Sequence, residues 1–359
     1  MKPGLLDRLA CPWCRVAGLT VCATNERGGE VASGTIECAC GARFPVDRFV
    51  PSFFDETRMS DAERRMLADG EYWSGFYNYY DDLGYRYFID SRLEVAPLLF
   101  HGILRTVRLG RWGRYAHWHE PHYRDFFSDA ALGPIAPGCR AVELGCGAGW
   151  LTLELARRGA SAIGQDTALE ALVRAKQYAM AEGVDAEFLH ASSLNLPLAP
   201  GAFDLFAGFQ ALHHFENLPA VLERIHAALR PDARVIIFEH RRLRPPKLGK
   251  VANALDRLCL PVIKRFYPAR ARHDWVASPN EDKAIAEMDQ SLRAAFRIDR
   301  EKDYSLLLQA LPVYAYFLTG GLPAAFVAGS MLSNGFDRLV ARLLPDRCEH
   351  RLYVGTRRT

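Results

Sequence analysis

The sequence carries almost no net charge, with 45 lysines and arginines against 42 aspartates and glutamates in 359 residues. A formal charge of +3 offers no global electrostatic case for nucleic acid, so any basic signal has to be local. The first residues, MKPGLLDRLACPWC, lack the basic flank, apolar core and small-residue cleavage site of a secretory signal. We therefore expect a reducing, cytoplasmic setting, in which the nine cysteines read as metal ligands or packing residues before disulfides. No internal repeat is visible. The uncharged run 305–336 is broken by Pro312, Gly320, Gly321 and Pro323, which makes it a poor single membrane-spanning helix.

The chain is 49% hydrophobic and long enough for about two domains. It divides into a Cys-rich head (1–54), an aromatic-rich helical connector or cap (55–138) and a block of alternating strands and helices (139–359). In that last block RAVEL, SAIGQD, AEFLHA, FDLFAGF and ARVIIFEH read as strands. LTLELARRG, ALEALVRAKQYAMAEG and LPAVLERIHAALRP read as the helices between them. A further helix, SPNEDKAIAEMDQSLRAAF, and the strands RIDREKDY and EHRLYVGTRR follow. The alternation predicts an α/β fold: a Rossmann-like, doubly wound, mostly parallel sheet with helices on both faces. Ligands then belong at the C-terminal ends of the strands.

AVELGCGAGW, residues 141–150, sits where the first of these strands turns into a helix. Gly145, Gly147 and Gly149 permit a tight turn, a close backbone approach and exposed helix N-terminal amides; a ligand-free turn is the bland alternative. The spacing is not G-x-G-x-x-G, and Glu143 stands two residues before the first glycine. A carboxylate there opposes a pyrophosphate and suits an ammonium group, which favours an amino-acid-bearing nucleoside. Asp166, at the end of the second strand, is placed to accept hydrogen bonds from both ribose hydroxyls.

ELGCGAG, IGQDTALEAL and LPLAPGAFDLFAGFQALHHF occur in that order, and together they resemble the class I S-adenosylmethionine-dependent methyltransferases of the ubiquinone-biosynthesis-like group. The resemblance spans about Arg140 to Glu239 and a last strand near the C-terminus. It implies that Glu143, Gly145, Cys146, Gly147 and Gly149 hold the methionine part of S-adenosyl-L-methionine. Asp166 would hold the ribose, and Ser192, Ser193 and Leu194 the adenine, with Thr167 and Gln210 completing the cofactor-facing set. Ser192 stands where such proteins typically carry an aspartate, a weaker partner for the adenine amino group. An Asn-Pro-Pro-Tyr-type sequence is absent after the fourth strand, which argues against adenine-amino and glutamine methyltransferases.

His213 and His214 follow the fourth strand, and Glu239 and His240 end the fifth. Each is a candidate general base for an acceptor hydroxyl, and each has a structural reading as a packed hydrogen-bonding group. Methyl transfer mainly demands alignment and exclusion of water, so the acceptor is not written in a motif.

Cys11 and Cys14 in CPWC, with Cys38 and Cys40 in CACG, form two knuckles suited to tetrahedral zinc. The second is one residue shorter than C-x-x-C, and Cys22 between them is a spare thiol. LLDRLACPWC with CGARFPVDRFVPSFF resembles short zinc-ribbon proteins that act as methyltransferase activator subunits or are fused to such enzymes. Asp47-Arg48 stands where their turn has Asp-Gly. A structural Zn2+ is the leading reading; a metal-free ribbon and a redox role are the alternatives.

His117, His119, Glu120 and His122 in the connector fit no single helix face, so a second metal is disfavoured; covering the cofactor and plain core packing are the two roles weighed for the region. Two additions mark the tail, at 241–277 and 305–345. Residues 241–272 hold ten Lys or Arg against Asp256, a cationic amphipathic pattern suited to an anionic substrate or a membrane surface, or a solvated basic face. The uncharged run reads as two short apolar helices, buried in the core, in a homodimer or at a membrane interface. Together the additions suggest an acceptor that is lipid-like, lipid-linked or at least bulky and apolar, within the broader expectation of a small-molecule or lipid-linked substrate. RNA as substrate, gripped by the ribbon and the basic segment, and a non-catalytic cofactor-binding or partner-binding module remain as rivals.

Overall fold

A computed structural model describes residues 1–78, 95–100, 103–108, 121–243, 246–266, 281–308 and 310–358. The head folds into four antiparallel strands in sequential order, β1 (Thr20–Arg27), β2 (Glu30–Glu37), β3 (Arg43–Asp47) and β4 (Val50–Pro51). Helix α1 (Asp61–Asn78) follows. Its start is a capping box: Ser60 N donates to Glu63 Oε2 at 2.9 Å, and Glu63 N donates back to Ser60 Oγ at 3.3 Å. The connector was expected to be helical, yet it also contains an antiparallel hairpin, β5 (Val95–Phe100) and β6 (Ile103–Arg108), ahead of α2 (Pro121–Phe126). VAPLLF and ILRTVR are rich in the apolar and β-branched residues that favour strands. His117, His119 and Glu120 lie outside the described residues; His122 is buried, its ring stacked on Phe238 with centroids 4.6 Å apart.

The main sheet has seven strands in the order β12-β13-β11-β10-β7-β8-β9. Five run parallel: β7 (Arg140–Leu144), β8 (Ser161–Asp166), β9 (Ala186–His190), β10 (Phe203–Phe209) and β11 (Leu229–His240). Antiparallel β13 (His350–Arg357) pairs with β11 and with β12 (Phe296–Tyr304). The crossovers are α3 (Trp150–Arg157), α4 (Leu169–Glu182) and α5 (Leu218–Ala228), so the expected doubly wound α/β architecture is the observed one. β11 begins at Leu229, earlier than the sequence pattern suggests, because Leu229 already pairs with Phe203 across an irregularity in register. The order reverses between β7 and β10, and this is where such sheets open a crevice at their C-terminal ends.

The tail adds α6 (Pro246–Phe266), α7 (Glu281–Ala295), α8 (Leu311–Leu318) and α9 (Pro323–Leu343). The uncharged run thus forms two helices, as its Gly-Gly-x-Pro break dictates. Among the described residues no helix is long and apolar enough to cross a membrane.

The head is not a separate globule. Leu5, Leu9, Phe44 and Phe53 share one buried cluster with Ile163, Leu189 and Phe203 of the main sheet. Polar bonds reinforce the joint: Phe53 N donates to His190 O at 2.8 Å, and Lys176, 1% exposed, sits between Glu187 and Glu30 at 2.7 and 2.6 Å. Arg48 forms a bidentate pair with Glu170 of α4 at 2.8 and 2.7 Å.

Candidate cofactor pocket and four-thiol site

The glycine loop leaves β7 with Gly145, Gly147 and Gly149 all at positive φ, +65°, +51° and +78°. A Cβ on Gly145 would lie 2.5 Å from Ala211 Cβ, and one on Gly149 would lie 2.7 Å from the Phe188 ring. The first glycine therefore lets the loop approach the β10 turn, and the last lets α3 settle on the sheet. Between them opens a cavity of about 320 Å³, bounded by Gly145 and Gly147, by Gln165, Asp166 and Thr167 at the end of β8, and by Ser193 after β9. Gln210, Ala211, His214 and Phe215 after β10 form the next wall, and Met66, Asp69, Tyr72 and Trp73 of α1 form the cover.

Asp166 holds the rim in place. Its Oδ1 accepts from the backbone amides of Thr167 and Ala168 at 2.7 and 2.9 Å, and its Oδ2 accepts from Gly147 N at 2.7 Å. A carboxylate has about four acceptor positions, so one remains, on Oδ2. Burial raises the Asp166 pKa against the lowering effect of those amides.

Several of the expected cofactor residues stand behind the wall instead of in it. Glu143 is buried beneath the loop and accepts a hydrogen bond from the Thr152 hydroxyl of α3; burial pushes its pKa up to about 8. Cys146 is buried too, packed against Gly164 at a place where a Cβ on that glycine would meet its sulfur at 2.8 Å. Ser192 is buried, its hydroxyl accepting from Leu194 N at 3.1 Å and donating to Met66 Sδ of α1 at 3.5 Å. Glu143, Cys146, Gly149, Ser192 and Leu194 do not line the cavity, whereas Gly145, Gly147, Asp166, Thr167, Ser193 and Gln210 do.

The four candidate bases also separate. Glu239 is fully buried and accepts from Ala211 N, from Leu212 N at 2.6 Å and from His213 Nδ1 at 2.8 Å. Burial alone would raise its pKa, but His213 and His240 outweigh burial and hold it at about 2. Its work is to fix the turn after β10. His213 is buried on that carboxylate, and His240 meets His213 edge-on and His350 at a tilt, with centroids 4.6 and 4.1 Å apart. Only His214 of the four reaches the cavity, beside Trp73. Burial, with the neighbouring His213, lowers its pKa to about 3, so it is a neutral imidazole at physiological pH.

The sequence reading missed Gln165 and the individual α1 residues. Gln165 Nε2 donates to Ala191 O, which leaves its buried Oε1 without a hydrogen-bond partner. Its signal was only that a glutamine is costly in the middle of an apolar strand. Helix α1 is seated by Asn195 Nδ2 donating to Glu63 at 2.7 Å and by Arg65 pairing with Glu216 at 3.0 Å. Gly70 permits the contact: a Cβ there would lie 2.0 Å from Thr167 O.

In the head, the sulfurs of Cys11, Cys14, Cys38 and Cys40 all lie within 4.8 Å of one another, with Cys11–Cys40 at 3.8 Å and Cys14–Cys38 at 3.5 Å. Tetrahedral zinc with Zn–S bonds of about 2.3 Å spaces its sulfurs by roughly 3.8 Å, so the donor set fits. The short second knuckle still closes, because Gly41 takes φ +85° and its amide bonds back to Cys38 O at 2.9 Å. The Ala42 amide lowers the Cys40 pKa to about 7. Cys22 is exposed on β1 outside the cluster.

A profile of the methyltransferase domain family matches residues 141–232, which runs from the glycine loop through the β10 wall. A ubiquinone biosynthesis O-methyltransferase of Azorhizobium caulinodans is 30% identical over 219 residues, 60% of this chain and 77% of the relative. One from Ruegeria pomeroyi is 30% identical over 149 residues, 41% of this chain and 57% of that protein. A solved geranyl diphosphate C-methyltransferase from Streptomyces coelicolor aligns at 14% identity and TM-score 0.49, covering 83% of this chain and 99% of that one. Sheet order, glycine loop and crevice define a class I α/β methyltransferase fold. The chain belongs to the class I S-adenosylmethionine-dependent methyltransferases, in the group that includes the ubiquinone-biosynthesis O-methyltransferases. It spans about half the length of the first of the curated relatives it matches, 57% and 47%.

Proposed function

We propose that the chain transfers a methyl group from S-adenosylmethionine to a small apolar or lipid-linked acceptor. The observation that carries the reading is the cavity at the strand-order reversal, where a glycine-lined floor meets Asp166 with one acceptor position open. An open carboxylate acceptor in a cavity wall suits a ligand hydroxyl. Gly145, Gly147, Gln165, Asp166, Thr167, Ser193 and Gln210 are the residues that would hold the cofactor. S-adenosylmethionine supplies an electrophilic methyl group on a sulfonium.

The chain's own contribution is alignment and exclusion of water. Met66, Tyr72, Trp73 and Phe215 give the cavity an apolar cover, and Glu239 fixes the turn that carries Gln210 and His214. A neutral His214 with so low a pKa is a weak proton acceptor and serves better as a wall and hydrogen-bonding group. Asp69 of α1, raised by burial and by Glu216, is the better placed carboxylate to take a proton from a phenolic or enolic acceptor. The four thiols would hold a structural Zn2+ that fixes the head against β9.

The reading is tested by supplying S-adenosylmethionine labelled in the methyl group with extract of the source cells and partitioning the product. Label entering organic solvent supports an apolar acceptor. Label confined to water-soluble metabolites or RNA rejects it.

A further inference from the structure

The outer faces of α6 and α9 carry side chains that neither the pocket nor the thiol site uses. On α6, Leu258, Val262 and Phe266 recur at helical spacing and are exposed, Leu258 at 73%. On α9, Leu332, Phe336, Leu339 and Leu343 form one exposed stripe, with Met331 beside it; Met331 and Leu332 are each 68% exposed. Both helices pack against α8, and Leu318 and Leu322 at the α8–α9 turn are exposed as well.

Helix α9 is inverted over its second half relative to an ordinary surface helix. Its first turns bury Phe326 and Val327, but from Ser330 on the buried side holds Ser330, Ser333, Asn334 and Asp337 beside Val340, while Met331, Leu332, Phe336, Leu339 and Leu343 face out. The buried polar groups are provided for: Ser330 Oγ donates to Phe326 O and Ser333 Oγ to Leu308 O, both at 2.9 Å. A helix that only had to cover the core would be built the other way round.

The charge around these stripes has one dominant sign. Arg338 and Arg342 fall on one flank of the α9 stripe at about 100° of rotation per residue, whereas Arg257 and Lys264 of α6 fall well round the helix from its stripe. Arg265 and Arg347 are exposed nearby, and Asp346 is the exposed acid among the described side chains of α6, α8, α9 and the turn that follows.

We propose that α6 and α9 form a docking face for an anionic lipid bilayer, with the apolar stripes entering the interface and the flanking cations meeting lipid phosphates. A second copy paired symmetrically through the same face would set arginines against arginines, and RNA would leave the leucine stripe unused. The proposal rests on the surface and not on the methyl-transfer reading, so each can fail while the other stands.

The test is flotation of the full chain with phosphatidylcholine vesicles, with and without phosphatidylglycerol, at low and high salt. The expected result is binding to the anionic vesicles that weakens with salt and falls about tenfold or more in a Leu332→Glu, Leu339→Glu double variant and in Arg338→Glu, Arg342→Glu. The melting-temperature rise with S-adenosylhomocysteine should persist in both variants, showing that the fold is kept. No flotation with either vesicle at low salt, or flotation that both double variants leave unchanged, overturns the proposal. So does a dimer in sedimentation that the leucine variant splits while vesicle binding is absent, which would make a second copy the occupant.

Discussion

Around the cofactor pocket, space is made by leaving side chains out. A Cβ on Gly145 would collide with Ala211, and one on Gly70 would sit 2.0 Å from the Thr167 carbonyl. In the head, four side chains are gathered instead, the thiols of Cys11, Cys14, Cys38 and Cys40. The first kind of site is damaged by adding atoms and the second by removing them. The distinction also separates the effects expected of substitutions: at the pocket they should appear first in affinity, at the thiols first in stability.

The largest effect should come from the thiols. Cys11→Ser is expected to remove bound zinc, measured by atomic absorption, and to lower unfolding stability by about 4 kcal/mol, because a lost metal is among the few mechanisms of that size. Cys22→Ser, outside the cluster, should change neither reading. If Cys11→Ser left the melting temperature in place, the head would be held by its shared apolar core alone and the contrast with the pocket would collapse.

Next comes a charge the pocket leaves out. Glu143 is buried beneath the loop with its pKa raised from 4.5 to about 8. The folded chain then holds a proton that the unfolded chain releases across this window, so Glu143's contribution to stability falls as pH rises from about 5 to 8, by up to ~1.4 kcal/mol per unit. The difference between wild type and Glu143→Gln in denaturant titrations at pH 5, 6.5 and 8 should show that slope. A flat difference would mean that the carboxylate is charged throughout and offset by a partner.

Asp166→Ala should weaken S-adenosylhomocysteine binding about 100-fold by calorimetry, because it removes a charged acceptor and frees the amides that shape the rim. An unchanged affinity would show that the ribose is held elsewhere. Gly70→Ala adds one methyl where there is no room, and should cost roughly 2 kcal/mol of stability as α1 lifts from Thr167. If it lost stability without losing cofactor affinity, α1 would be a support and not a cover.

The α/β block was legible because period and punctuation agree there: RAVEL, the positive-φ glycines and Asp166 at the end of β8 all fall where the pattern puts them. The four thiols were legible because thiol chemistry leaves few other readings for two paired knuckles. Glu143, Cys146 and Ser192 show where legibility ends, since a motif gives positions along a strand but not which side of the loop a side chain takes. Gln165 and Gly70 were illegible for a related reason. Their roles come from contacts with Ala191 and Thr167, which only the packed sheet brings together.

The smallest effect is the most discriminating for the contrast itself. Arg48 and Phe49 occupy the turn between β3 and β4 at φ +47° and +71°, in a conformation that glycine adopts without cost and where Asp-Gly would be the ordinary choice. The head places an arginine there, and its guanidinium reaches Glu170 of α4 with two hydrogen bonds. Arg48→Gly should relieve about 1 kcal/mol of backbone strain and lose a surface ion pair worth a similar amount, so its net effect should lie within about 0.5 kcal/mol of zero. In a Glu170→Gln background the pair is already weakened, and the same substitution should become stabilising. A double-mutant cycle by thermal unfolding separates the two parts. If Arg48→Gly stabilised the chain equally in both backgrounds, the bidentate pair would contribute nothing, and this turn would obey the pocket's rule, in which the missing side chain is the better one.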